Sequence, residues 1–272
     1  MADVGWIYDV TIFLYAASVL FYFHDFLQSN REVNRMAFGL LAIVWCLQTI
    51  FFVSQMTAKL YFPVLTLFET LFFYSWVLVT LSMILNYFFR IDLIVFFTNV
   101  IGFIALSFSM FAQDTGQLEQ TRALTSELLF VHITLSIISY GAFSLSMIFS
   151  VMYLVQHHML KRKRWTTVFR RLPSLDRLEL FSDRMNMIGM PLLLLGVILG
   201  SIWAHLVLAA PFWMDTKVGT SVIMLIAYSI IMYQRYTEKW QGSKLATANL
   251  VAFSLLLINF LSSDVSSFHR WM

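Results

Sequence analysis

The chain has 272 residues, of which 60% are hydrophobic and 12% charged, with a net charge of +3. A soluble domain carries about 25% charged residues, so long uncharged runs in a chain with 27 Phe, 11 Tyr and 8 Trp exclude one. Cys46 is the only cysteine, which excludes an intramolecular disulfide, a CxxC redox pair and a cysteine-rich metal site. The chain therefore reads as an all-α, polytopic integral membrane protein, one transmembrane domain over 1–272. No nucleophile–base pair, phosphate loop or metal-binding carboxylate cluster stands out, so an enzyme is not expected, and nothing points to nucleic acid. No basic region precedes the first apolar run, which reads as a retained span and not a cleaved signal.

A spanning helix needs roughly 20 apolar residues. Eight segments qualify, at approximately 6–27, 36–56, 64–89, 93–112, 127–156, 187–208, 217–235 and 245–262. An even number puts both termini on one side of the bilayer. The loops 28–35, 90–92, 157–186 and 235–244 hold 14 of the 18 Lys and Arg, leaving only Lys59, Arg122, Lys217 and Arg270 for the opposite side. Positive charge stays inside, so both termini are expected on the outer, non-cytoplasmic face of the membrane.

The first span ends at His24-Asp25, with His24 read as interfacial. Trp45, Cys46 and Gln48 in the second read as packing. The third begins after Pro63 and carries Glu69 about one turn inside its boundary. An intramembrane carboxylate is a functional candidate by default, to be weighed against a hydrogen-bonded residue at the headgroups. The fourth span is plainly apolar. In the polar loop 113–126, Thr125 or Ser126 is a candidate cap for the fifth span.

That fifth span contains His132 and then Ser136, Ser139, Tyr140, Gly141, Ala142, Ser144 and Ser146, small and hydroxylated residues that permit close helix approach. The inner loop opens with His157-His158 and runs through Lys161-Arg-Lys-Arg164 and Arg170-Arg171. After Pro173, Ser174 is placed to cap a short amphipathic helix carrying Leu175, Leu178, Leu180 and Phe181. This loop reads as topological charge and anionic-lipid contact, or as a dock for an acidic cytoplasmic partner.

The sixth span has Pro191 in its expected first turn, and Gly196 and Gly200 as a small-xxx-small face. It leads into the stretch Gly200–Lys217, which holds Trp203, His205, Trp213 and Asp215. The ordinary reading is an interfacial aromatic belt. The alternative is a flat, partly polar ligand site. The seventh span ends in Tyr233-Gln234-Arg235, the eighth carries Asn249 and Asn259, and the tail contains His269.

With this topology, His132, Trp203, His205, Trp213, Asp215 and His269 all fall at the outer face. Haem binding needs one or two imidazoles, an apolar slot and groups for the propionates. His132 and His269 are the candidate axial ligands, with His205 in reserve. Trp203 and Trp213 are candidates to flank the ring, and Lys217, Arg270 or Arg122 to meet the propionates.

Several stretches resemble, in order over 125–272, the cytochrome c assembly (CcsA/CcmC/CcmF-type) haem-handling membrane proteins. They are His132 with Ser139-Tyr140-Gly-Ala-Phe143, Ser174-Leu-Asp-Arg-Leu178, Gly189-Met-Pro191, Gly200-Ser-Ile-Trp-Ala, Trp213-Met-Asp215-Thr-Lys217 and the terminal His269. Phe62-Pro63 and Glu69 extend the resemblance loosely into the N-terminal half. The resemblance implies haem, as haem b, held at the outer face beside a tryptophan-rich loop, with His132 and His269 as axial ligands. The family loop reads roughly Trp-Gly-x-x-Trp-x-Trp-Asp-Pro-Lys-Glu. Here Ala209-Ala210, Met214, Thr216 and Val218 depart from it, and Gln234 stands where a His is common. The thinned loop implies a sensing or regulatory relative more than a haem-attachment machine. Size and order are most like the branch associated with bacterial haem-biosynthesis genes, which implies control of glutamyl-tRNA reductase or another cytoplasmic haem-pathway enzyme. The alternatives are haem delivery toward cytochrome c assembly and a haem-free scaffold.

Overall fold

The computed structural model describes residues 5–59, 61–89, 91–112, 127–163, 171–207, 215–237 and 239–262. Among them all regular structure is helical: α1 (Gly5–Gln28), α2 (Arg31–Lys59), α3 (Leu67–Phe89), α4 (Asp92–Ser109), α5 (Glu127–Lys161), α6 (Leu175–Val207), α7 (Thr216–Tyr236) and α8 (Ser243–Leu261). All eight are long and apolar enough to cross a membrane. The expected all-α polytopic architecture holds, with every expected span present. Lipid offers no hydrogen bonds, so a spanning backbone must satisfy itself within its own helix. The chain forms two compact units, Met1–Thr115 and Gly116–Met272.

In the first unit, α1 packs on α2 and α4, and α3 packs on α4 and α2. The α1–α2 turn is tight. Ser29 takes φ +57° and donates its N–H to Asp25 O at 2.7 Å, while Asn30 Oδ1 caps α2 through Glu32 N at 3.0 Å. His24 beside it is exposed and Asp25 is buried. Tyr15, Tyr22, Leu41, Phe51 and Phe72 form the core.

Because apolar lipid gives helices no hydrophobic drive to associate, packing and interhelical hydrogen bonds carry the specificity, at about 0.6–2 kcal/mol per bond. Two such bonds between α2 and α3 mirror one another. Trp45 Nε1 donates to Thr80 Oγ1 at 2.9 Å, and Trp76 Nε1 donates to Thr49 Oγ1 at 3.0 Å. Each threonine in turn donates to the carbonyl of the tryptophan one turn earlier on its own helix. Gln48 donates to Ser75 Oγ at 3.1 Å. Trp45 and Gln48 are thus packing residues with a directional bond, while Cys46 is exposed.

Glu69 has a structural explanation. Thr66 Oγ1 accepts from Glu69 N at 3.2 Å, and Glu69 Oε2 accepts from Thr66 N at 3.1 Å and Leu65 N at 2.8 Å. This reciprocal pair is a capping box at the start of α3. Lys59 at the end of α2 adds an ion pair to Oε1 at 2.7 Å, and Tyr61 donates to the same oxygen. The buried carboxylate joins the end of α2 to the start of α3.

In the second unit, α5 packs along α6, α7 on α6 and α8, and α8 on α5. Here one expectation is corrected. Residues after Pro173 do not form a separate short helix. The helix beginning at Leu175 runs unbroken to Val207, so Pro191 lies mid-helix and not in a first turn. The proline removes the N–H that Met187 O would otherwise accept in the i→i−4 ladder. Charge at 176–184 depresses hydropathy there, but two of those carboxylates are matched. Arg235 Nε bonds Asp183 Oδ2 at 2.6 Å, and its Nη1 bonds Glu179 Oε1. Leu178 and Phe181 are buried, so this segment packs as part of the bundle.

Candidate functional site

The site grows from the seam between α5 and α6. The helices run antiparallel, and each step of three or four residues along α5 is matched by an equal step back along α6. Leu128 and Leu129 pack against Trp203 and Ala204. One turn along, His132 meets Gly196 and Gly200; then Ser136 meets Gly196, and further on Phe143 meets Gly189. Phe143 also stacks on Tyr228 of α7, with ring centroids 3.7 Å apart. The sequence supplies this seam by opposing small residues on α6 to larger ones on α5.

The glycines matter at the imidazole. A Cβ at position 200 would stand 2.6 Å from both Cε1 and Nδ1 of His132, well inside contact distance. Without it, the half-buried ring lies against α6, and Nδ1 comes within 2.6 Å of Gly196 O. A carbonyl oxygen only accepts, so Nδ1 carries the proton. In the neutral ring the lone pair is then on Nε2. A histidine whose other nitrogen is tied to a backbone carbonyl is the usual form of a metal-ligating imidazole.

Trp203, a turn from Gly200 on the same helix, is 7% exposed. Its Nε1 is buried without a hydrogen-bond partner among the described residues. A buried orphan donor costs on the order of 1–3 kcal/mol unless an acceptor meets it. An imidazole whose Nδ1 is tied to the backbone and an indole N–H that no described residue accepts are donor types that a planar, anionic, metal-bearing ligand would use.

Asp215 and Lys217 enter from α7. Asp215 is buried and caps α7, with Oδ1 accepting from Lys217 N at 2.9 Å. Asn259 of α8 holds this end together. Asn259 Nδ2 lies within bonding range of Thr220 Oγ1, Ser221 Oγ and Lys217 O at 2.9, 2.8 and 3.3 Å. Its Oδ1 accepts from Tyr140 at 2.7 Å. The signal was available, since an asparagine inside an apolar span demands partners.

His205 is exposed on α6, away from the buried Trp203–Ala204 face. Trp213, His269, Arg122, Arg270, Thr125 and Ser126 lie outside the described residues. His132, Trp203, His205, Asp215 and Lys217 are therefore the candidate site residues whose placement is given. At the opposite end of α5, His157, His158, Lys161, Arg162 and Lys163 are all exposed. Beside that end, Ser146, Ser150, Ser182, Asn186 and Asn249 form a buried hydrogen-bonded cluster joining α5, α6 and α8. Among the described residues, no group of three or more His, Cys, Asp or Glu could hold a metal ion.

Residues 64–269 match the family described as cytochrome c assembly protein. A protein HemX of Brevibacillus brevis is 61% identical over the full length of both chains. A protein HemX of Bacillus subtilis (strain 168) is 48% identical over 95% of each. The cytochrome c biogenesis protein CcsA of Thermosynechococcus vestitus is 27% identical over 75% of this chain and 76% of its own.

Proposed function

The chain belongs to the cytochrome c assembly protein family and is a HemX-like multi-pass bacterial membrane protein, and from that premise we propose that it binds haem, as haem b, at the α5–α6 seam. In this reading it controls haem synthesis at the level of glutamyl-tRNA reductase, by binding and not by catalysis. The observation that carries the haem reading is the His132 Nδ1–H bond to Gly196 O at 2.6 Å, which leaves Nε2 as the free donor atom. His132 and His269 would hold the haem iron. His269 lies seven residues beyond Ser262, so its tether reaches at most about 25 Å. Ser262 Oγ lies 3.1 Å from Thr220 Oγ1 in the first turn of α7. Trp203 would offer its indole N–H to the ligand, Trp213 would flank the ring, and Lys217 would meet a propionate. Asp215 orients the start of α7, and His205 is a reserve ligand. Bound haem supplies an iron centre whose occupancy reports haem supply.

The expected topology places both termini and this seam outside, with the exposed basic end of α5 in the cytoplasm. That end is suited to an acidic enzyme surface. Detergent-purified protein from haem-replete cells is expected to show a Soret band and a positive pyridine test, lost or shifted in His132→Ala and His269→Ala. A preparation free of haem that takes up none on titration would sink the haem reading. Glutamyl-tRNA reductase is expected to co-purify, and neutralising Lys161–Arg164 is expected to release it.

Similarity to CcsA supports a second reading, haem delivery toward cytochrome c assembly. The thinned loop and Gln234 weigh against it. A deletion strain deficient in c-type cytochromes would favour this second reading.

A further inference from the structure

We infer that the Gly196 carbonyl fixes the tautomer of His132, and that the Gly196–Gly200 slot presents Nε2 as the atom that meets the ligand. This rests on the haem reading above and adds two positioning residues to it. At 2.6 Å from Gly196 O, an unprotonated Nδ1 would set lone pair against lone pair. The carbonyl has two lone pairs, so it can receive the ring N–H alongside the helical N–H of Gly200.

Glycine is what lets the carbonyl be reached. A Cβ at 200 would lie 2.6 Å from the ring, and one at 196 would lie 2.7 Å from Ser136 Oγ. Ser136 itself donates to His132 O at 2.8 Å, so both glycines clear space for the same turn of α5. Neither contacts the iron in this scheme. They act by aiming the ring and by making Nε2 the stronger donor, as a hydrogen bond to the far nitrogen does.

The test separates coordination from aiming. In His132→Gly, added imidazole and 4-methylimidazole can each ligate iron through one nitrogen while donating from the other. 1-Methylimidazole can ligate but has no N–H to give. The first two are expected to restore the wild-type Soret band at about fivefold lower concentration than 1-methylimidazole, the worth of one ordinary hydrogen bond. Equal potency of all three overturns the inference while leaving the haem reading intact. An unaltered spectrum in His132→Gly itself also overturns it. If His132→Gly does not fold, or if wild-type protein takes up no haem and the haem reading fails, the tautomer is read directly. Ring-15N-histidine NMR of haem-free wild-type protein, with His132→Gln to identify the signal, is expected to show a protonated Nδ1 and a bare Nε2. The opposite tautomer overturns the inference.

Discussion

Replacing Gly200 with alanine adds one methyl group, and three effects compete. The new Cβ would sit 2.6 Å from Cε1 and Nδ1 and 3.1 Å from Cγ of His132. Ordinary carbon contacts begin near 3.5 Å, so the ring must retreat by about 0.9 Å. The Nδ1–Gly196 O bond of 2.6 Å then stretches past the useful range of about 3.2 Å and loses about 1 kcal/mol. Overpacking adds about 1–3 kcal/mol. Alanine returns about 1 kcal/mol as the better helix former. The net is a loss of about 1–3 kcal/mol, together with haem affinity about 10–100-fold weaker because the ligand's support is gone. Gly39→Ala and Gly219→Ala are the controls, since a Cβ at either meets nothing within 4 Å. They are expected to hold or raise stability. Thermal unfolding in detergent, with and without haem, and a haem titration followed at the Soret band read both effects. If Gly200→Ala matches its controls in melting temperature and in haem affinity, the packing of His132 against α6 described above is wrong.

Three other outcomes follow from the same contacts. Trp203→Phe keeps an aromatic ring but removes the Nε1–H that no described residue accepts, so haem affinity should fall about fivefold with protein stability unchanged or raised, as titration and melting would show. Lys59→Met leaves the buried Glu69 carboxylate without its cation, and unfolding in detergent should register a loss of about 2 kcal/mol, with Thr66→Ala costing about 1 kcal/mol as a lost cap. Asn259→Leu removes the shared partner of Tyr140, Thr220 and Ser221. It should destabilise by about 1–2 kcal/mol and weaken haem binding by loosening the first turn of α7; a variant as stable as wild type with unchanged haem uptake would refute the bracing role.

Eight spans were legible because a bilayer permits few ways to cross it. Positive mean hydropathy and about 20 apolar residues per segment leave little choice. What failed to show was the true start of α6. Asp176, Glu179, Asp183 and Arg184 look like loop chemistry until Arg235, over fifty residues away in sequence, is seen to match two of the carboxylates. Glu69 was open to two readings. Its explanation, Thr66-x-x-Glu69, was written in the chain as a capping box, but an acid inside an apolar run draws attention first as a functional group. At the candidate site, His132 and the Gly196–Gly200 face were each legible as elements. Their meeting was not, because the partner of Nδ1 is a main-chain carbonyl and backbone atoms leave no letter in a sequence. Asn259 was visible as a polar anomaly, but its partners on α5 and α7 are set by the fold alone.

The mirrored tryptophan–threonine pairs of α2 and α3 have a consequence for how this protein enters its membrane. Two greasy antiparallel helices can slide past each other with little change in energy, since one aliphatic contact replaces another. Here a slip of one turn, about 5.4 Å, would strand both indole N–H groups at once in hydrocarbon, where each unsatisfied donor costs several kcal/mol. The penalty is paired, so intermediate alignments gain nothing. The hairpin can therefore click into a single alignment soon after insertion, before its neighbours arrive, and hand the rest of the first bundle a template already in register.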